Sequence, residues 1–489
     1  MIRITLLTLL IAYLSAYAWK DWFRSACWLV LLMSVFQHPD MPKAIGGVPG
    51  LNHWNFLFLN TVLSWLSNRK KEKLAWEMPK FISLLSFLYA LFIVIGVYRY
   101  FLDNSGVIEL FEYMESKAPG KLSIINEQLI NCFKWVLPGV IIFDGCRNRK
   151  QYNFAIGSLA LMFIFLAWQV VKSMKLGSLT MGGDALQHKA LKIISDSVGY
   201  HRVNISMIMS GAFWAVFSLK EFVSTKYYWL LILPSCLTIF TAMALTGGRT
   251  GYGTWAVLGI LFLLFKWRKY IFLTPLIFLA ITMFAPSAIE RLSSGFSPEG
   301  TDDIQNSSVT QNIDFEESSV DLYSVTSGRN LAWPPVLESI EKAPFFGYGR
   351  DAMINIGITL QIKQAFKGES FPHPHNAYLQ WIQDNGFVGA FPVFLLFILF
   401  LKYSSSLFRD NSERIYVVTG SFSLALLLAF LIASTGSQTF YPREGAVGMW
   451  ASIALMLRVY VERNKVRKGG QSILISPEDG YSSKLFIKT

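Results

Sequence analysis

A chain of 489 residues with 53% hydrophobic, 15% aromatic and only 16% charged residues has more apolar surface than one soluble core can hide. Apolar blocks recur along almost all of it, so the composition excludes a soluble enzyme and points to an all-α polytopic membrane protein of 12–13 transmembrane helices with one long loop. The formal net charge of +12 needs no nucleic-acid partner, because the basic excess gathers in the links between spans, where topology and contact with anionic membrane lipid account for it.

In chain order, candidate spans lie near 4–18, 22–37, 52–66, 80–102, 127–145, 153–171, 203–219, 226–245, 251–265, 269–286, 377–401, 415–434 and 444–461. The first has the size of a signal-peptide core, but it lacks a small-residue cleavage pattern and a second apolar run follows at once, so it reads as a membrane helix. The first two are short enough to form a half-inserted hairpin. Basic links at NRKKEK (68–73), CRNRK (146–150), KWRK (266–269), 402–414 and VERNKVRK (461–468) fall on one side when the spans alternate, which makes that side cytoplasmic. Cys27, Cys132, Cys146 and Cys236 show no paired spacing and read as small core residues. The expected division is 1–200 and 201–286 for two sets of transmembrane helices, 287–376 for a periplasmic loop subdomain, 377–463 for the C-terminal helices and 464–489 for a cytoplasmic tail.

The outer tract differs in kind. Residues 287–375 hold 12 acidic against 6 basic residues, begin rich in Ser, Asn and Gly, and turn helical around LAWPPVLESIEKA. Against that acidic background the outward arginines stand out: Arg249 in LTGGRTGYGTW, Arg329 in SVTSGRNLAW, Arg350 in FFGYGRDAM and Arg443 in FYPREGAVG. A guanidinium offers a planar fork of donors that fits a phosphate or diphosphate, and glycine lets backbone turn sharply and approach a ligand. Any one of them is better explained by a headgroup or a loop acid, but four on one face, three inside Gly-bearing turns, favour an anion site.

FPHPHNAYLQWIQDNGFVGA (371–390) places two histidines at the lip of the next span. Pro374 keeps His373 extended, so His375-Asn376 falls at a helix start. The bland reading of His375 is a capping residue; the chemical one is a general base, since an imidazole of unperturbed pKa near 6.5 is largely neutral at pH 7. An HxH pair could ligate a metal, but no third ligand stands at helical spacing and neither HExxH nor CxxC occurs, so no metal or cofactor is expected.

His375-Asn376, nine residues, then Gly386-Phe387-Val388-Gly389 resembles the histidine motif of the O-antigen ligase and polymerase superfamily, and the upstream GGRTG, SGR…W and GYGR elements are similar in order and placement. The likeness covers roughly 200–486 in architecture and about 245–390 in residues. It implies a multi-pass enzyme of the bacterial inner membrane, working at the periplasmic face without metal. Such an enzyme takes a glycan from undecaprenyl diphosphate and moves it to an acceptor hydroxyl on lipid A-core, on another glycan or on a protein. Carried over, His375 is the catalytic base and Arg249 and Arg329 hold the diphosphate. Arg350 and Arg443 are secondary candidates for diphosphate or glycan, Tyr348 and Trp333 for stacking on sugar rings, and His201-Arg202 for the carrier's entry. His373 stands outside the motif and is a neighbour.

Two other classes share parts of this pattern. A transporter or flippase for lipid-linked glycan should carry ionisable groups at mid-membrane depth, whereas the charges here sit near the span ends. A glycan-binding structural protein would not need His375. Among enzymes the reading leans to an O-antigen ligase, with a polysaccharide polymerase or protein O-oligosaccharyltransferase as alternatives; no large soluble C-terminal domain follows, which disfavours the longest protein-glycosylating relatives.

Overall fold

The structure is a computed structural model that describes residues 2–45, 48–273, 331–366, 371–436, 439–472 and 474. Every candidate span but one carries a helix: α1 (Ile2–Ala18), α2 (Trp22–Leu31), α3 (His53–Lys71), α4 (Lys80–Leu102), α5 (Asn131–Gly145), α6 (Arg149–Met174), α7 (Gly183–Val198, an addition to the expected spans), α8 (Arg202–Ser218), α9 (Leu233–Leu245) and α10 (Arg249–Phe265). After the outer helices α11 (Trp333–Lys342) and α12 (Ile358–Ala365) come α13 (Ala377–Phe408), α14 (Arg414–Ala433) and α15 (Val447–Arg467). The span expected at 269–286 lies mostly outside the described residues.

Among the described residues seven helical stretches are long and apolar enough to cross a membrane, and α1 and α10 are shorter apolar helices. The architecture is an all-α polytopic membrane protein, apart from a two-residue ribbon pairing Ala44–Ile45 with Val48–Pro49. The helix α2 has 10 residues and, after Leu32 in the helical region, a further turn runs over Met33–Phe36, so the stretch 22–36 reaches about 22 Å at 1.5 Å per residue, short of the hydrocarbon layer. The helix α8 is central and packs most extensively on α14, then on α9 and α10. The outer helices close a small core of their own from Val336, Ile340, Met353, Ile358 and Phe371.

The basic links do converge at one end. Buried Asp144 accepts from Trp65 Nε1 at 2.9 Å and Arg69 Nε at 2.7 Å, joining the first two links. Glu77 meets Arg147 and Arg458 and takes Lys465 Nζ at 2.6 Å, which ties both to the last helix. Burial alone would raise the Glu77 carboxyl, but the donors Lys465 and Arg458 hold it down at about 2. Because the folded value lies below the ordinary carboxylate range, the stabilisation is complete above about pH 4.5 and is lost as pH falls toward 2. Fully buried Arg458 keeps Glu462 at 3.1 Å, but Glu77→Gln removes the carboxylate it shares with Arg147 and Lys465. The variant is therefore expected to cost less than the ~3–5 kcal/mol of a buried pair broken outright, while still melting below wild type at pH 7. Thermal unfolding in detergent checks this: the gap from wild type should narrow as the pH is lowered below 4.5.

Candidate functional site

The histidine loop is fixed from several sides. Asn376 caps α13, its side-chain oxygen accepting from Tyr378 N at 3.0 Å and Leu379 N at 3.2 Å, as the motif's place at a helix start implied. Trp333 donates its indole N–H to Pro374 O at 3.0 Å, Thr359 its hydroxyl to Phe371 O at 2.8 Å, and Ala377 N–H bonds Ser434 O at 2.7 Å. Between these anchors the His373 and His375 rings meet at 4.3 Å between centroids, and His375 sits at φ +51°, on the left-handed side that side chains with a Cβ rarely adopt. Burial and the positive charge of Arg443 push His373 down to about 4, so at neutral pH it is uncharged. Its Nδ1 is buried without a hydrogen-bond partner.

Beside the loop lies a buried polar centre built around Arg350, which is only 5% exposed. Its guanidinium stacks 3.4 Å above the Tyr441 ring, with Asp351 Oδ1 at 3.7 Å and Asp384 Oδ2 at 3.8 Å. Its Nε and Nη1 make no hydrogen bond. Tyr441 donates its hydroxyl to Asp384 Oδ2 at 2.8 Å and accepts from Asn385 Nδ2 at 3.0 Å. Two carboxylates thus face one guanidinium without a hydrogen bond to its Nε or Nη1, which leaves Arg350 held by charge and ring stacking with two donors unspent.

Asp384, Asn385 and Tyr441 were not anticipated. The signal was the run QWIQDN, which puts Gln380, Gln383, Asp384 and Asn385 into an otherwise apolar helix, where polar groups are costly unless they serve a site. The expectation that charges keep to span ends therefore needs correction: Asp384 lies two turns into α13 and Arg458 is fully buried in α15. Both are held in ion pairs, Asp384 with Arg350 and Arg458 with Glu77, rather than strung along a path.

Why α13 can carry this centre is seen at Gly386, where φ +63° and ψ −176° interrupt the helix. The break lets residues 344–349 lie against it: Tyr348 N–H bonds Gln383 O at 2.9 Å, Gly349 N–H bonds Asp384 O at 2.8 Å, and Phe387 N–H bonds Pro344 O at 2.8 Å. That same segment receives Arg99 of α4, which donates to Phe346 O and to Gly347 O.

The GGRTG turn is also braced by protein. Gly248 caps α10, and a Cβ there or at Gly251 would run into the Ser206 side chain of α8. These two glycines are required by close helix packing and not only by a ligand's approach. Arg202 Nη1 donates to Thr246 O at 3.3 Å and to Gly247 O at 3.2 Å, so it supports the turn that carries Arg249. His201 accepts Val203 N–H at 3.4 Å as the cap of α8. Arg249 itself is half-buried at the first position of α10.

Of the other candidates, Tyr348 spends its hydroxyl on Ser339 O at 3.1 Å and Trp333 its N–H on Pro374, so both hold backbone in place. Arg443 keeps an exposed side chain between Tyr441 and Glu444. Arg329 lies outside the described residues. The two arms are linked: α8, which braces the Arg249 turn, has Ile208 Cδ1 3.4 Å from where a Cβ on Gly445 would stand. The segment just before Gly445 bonds α13 through Thr439 to Gln380 at 2.9 Å. Arginine turn and histidine loop thus occupy the same end of the bundle, away from the basic links.

Residues 234–394 match the family model described as O-antigen ligase, an interval running from the start of α9 through the Arg249 turn to just past Gly389. Over 119 residues the chain is 28% identical to the ComP-specific O-oligosaccharyltransferase of Acinetobacter baylyi (strain ATCC 33305 / BD413 / ADP1), a stretch that makes up 24% of this chain and 22% of that protein. The match thus spans about a fifth of that relative's length. The resemblance carried by the histidine motif is borne out by both findings.

Proposed function

We propose, from the O-antigen ligase match at residues 234–394, that the protein is a membrane glycosyltransferase that moves a glycan from undecaprenyl diphosphate to an acceptor hydroxyl at the periplasmic face of the bacterial inner membrane. The observation that supports this most directly is the rigid His375 loop set beside the buried, open-donor Arg350 in the matched region. In the reaction the acceptor oxygen attacks the anomeric carbon while the carbon–oxygen bond to the diphosphate breaks. His375 takes the hydroxyl proton, and the leaving diphosphate carries the bonding electrons away. Positive charge at that leaving group stabilises the transition state more than the ground state. Arg249 supplies it at the N-terminus of α10, where the positive end of the helix dipole adds to the attraction for an anion. Arg329 is its partner in this reading, and Arg350 and Arg443 flank the glycan.

One displacement assisted by one base inverts the anomeric carbon. Membrane vesicles supplied with undecaprenyl-diphosphate glycan should give a product of inverted configuration by NMR, and Arg249→Ala should lower transfer at least about 10²-fold. A retained configuration, or unchanged transfer in Arg249→Ala, overturns the assignment. For the acceptor the first reading is lipid A-core, as in a ligase, after the description of the matching family model. A protein hydroxyl is the second reading, favoured by the printed name of the Acinetobacter relative. Comparing both acceptors in the same vesicles separates them.

A further inference from the structure

A cavity of about 410 Å³ opens among the N-terminal helices, in the size range of small-ligand sites. It is bounded by the loop that follows α2, the first turn of α3, the outer part of α5 and the end of α7. Among the described residues its lining contains Lys43, Lys134, His38 and His53 and no aspartate or glutamate, with Asp40 just outside it, 3.7 Å from His38. Two tryptophans flank the central cation: Lys134 Nζ lies 4.2 Å from the Trp135 ring centroid and 5.4 Å from that of Trp54.

Three lining residues hold buried polar atoms without a hydrogen-bond partner, namely His53 Nδ1, Trp54 Nε1 and Asn55 Oδ1. His53 is 5% exposed and Trp54 4%, so neither reaches bulk water easily. Each is otherwise well anchored: His53 Nε2 contacts Thr8 Oγ1 at 2.7 Å and Asn55 Nδ2 donates to Gly50 O at 2.6 Å. Native interiors rarely leave such groups unmet, and a cluster of them calls for a polar occupant. The cavity opens at the same end of the bundle as the histidine loop, since Lys134 lies in the first turn of α5, at the end opposite the basic link that follows it.

Aromatic faces beside hydrogen-bonding groups and a cation match the chemistry of an acidic sugar. The C–H face of a pyranose stacks on indole, hydroxyls meet the imidazole, the indole N–H and the amide oxygen, and a carboxylate meets the ammonium. We propose that this cavity is a subsite for an anionic sugar unit of the glycan that the enzyme handles. The proposal takes the glycan from the transferase reading, but its test measures binding alone.

Full-length protein in nanodiscs is titrated with a glucuronic acid disaccharide, its carboxyl-reduced neutral counterpart and inorganic phosphate, with saturation-transfer NMR as readout. The acidic disaccharide is expected to bind about tenfold tighter than the neutral one, a difference of one charge-assisted contact. Lys134→Gln should erase that preference and Lys134→Arg keep it. Trp54→Phe, which keeps a ring and loses the N–H, should weaken both sugars about threefold to tenfold. A preference unchanged in Lys134→Gln, no sugar binding at all, or phosphate competing as well as the acidic sugar overturns the subsite, the last pointing to a lipid headgroup's phosphate instead. Binding that persists where vesicles show no transfer overturns the transferase reading and leaves the subsite standing.

Discussion

Replacing His375 by alanine is expected to lower glycan transfer about 10²- to 10⁴-fold, the contribution of a positioned general base. The geometry makes the two neighbouring imidazoles unequal. His373 is buried and pressed by Arg443, which pushes it down to about 4, so it is too weak a base to take a hydroxyl proton efficiently near neutrality. His375 occupies the motif position, at φ +51°, between a loop pinned by Trp333 and a helix capped by Asn376. A left-handed backbone costs a residue with a Cβ about 1–2 kcal/mol, and such strain collects at functional positions because the surroundings enforce it. The same strain supplies the control. His375→Gly accepts that backbone without penalty, so it should lose transfer to the same extent as His375→Ala while its melting temperature stays at or above that of the wild type. Parallel loss of melting temperature and transfer in both variants would show a capping role only. In His373→Ala, transfer should fall far less than in His375→Ala.

Gly386→Ala is expected to damage the fold itself. At φ +63° and ψ −176° the backbone lies where glycine alone is at ease, and a methyl group there would overlap the carbonyl of Phe345. Either α13 straightens or the 344–349 segment lifts away, and each course breaks the hydrogen bonds that Tyr348, Gly349 and Phe387 make across the break. With backbone strain of about 1–3 kcal/mol added to those losses, the variant should melt well below wild type. Transfer should drop with it even though Gly386 touches no reacting atom. Limited proteolysis should cut first between α11 and α13; a variant that melts like the wild type and resists protease would show that the break is not needed.

Much of this was legible in the chain because hydropathy, charge and short motifs report local requirements. Span positions follow from runs of apolar residues, and the basic links gather at one end as their Lys and Arg content implied. The start of α13 was readable from Pro374 and Asn376. What could not be read were relations between distant segments. The glycines of GGRTG looked like ligand cradles and prove to face Ser206, some forty residues earlier, a contact no local pattern encodes. Arg202 reads from the sequence as a residue at the carrier's entry or an interfacial anchor, and its hold on the Arg249 turn spans some forty residues that no local pattern joins. Asp384 and Tyr441 pair across 57 residues, so their partnership was visible only as an isolated polar patch in QWIQDN.

The grip of Arg99 on the backbone of Phe346 and Gly347 joins positions 247 and 248 residues apart in the chain. At roughly 5–20 residues per second of synthesis, α4 is in place for on the order of 10–50 s before its partner segment leaves the ribosome, and α13 follows later still. A nascent chain therefore cannot assemble the pocket prematurely: one that stops before Phe346 leaves Arg99 without this partner, and one that stops before Ser434 leaves the histidine loop without its seat.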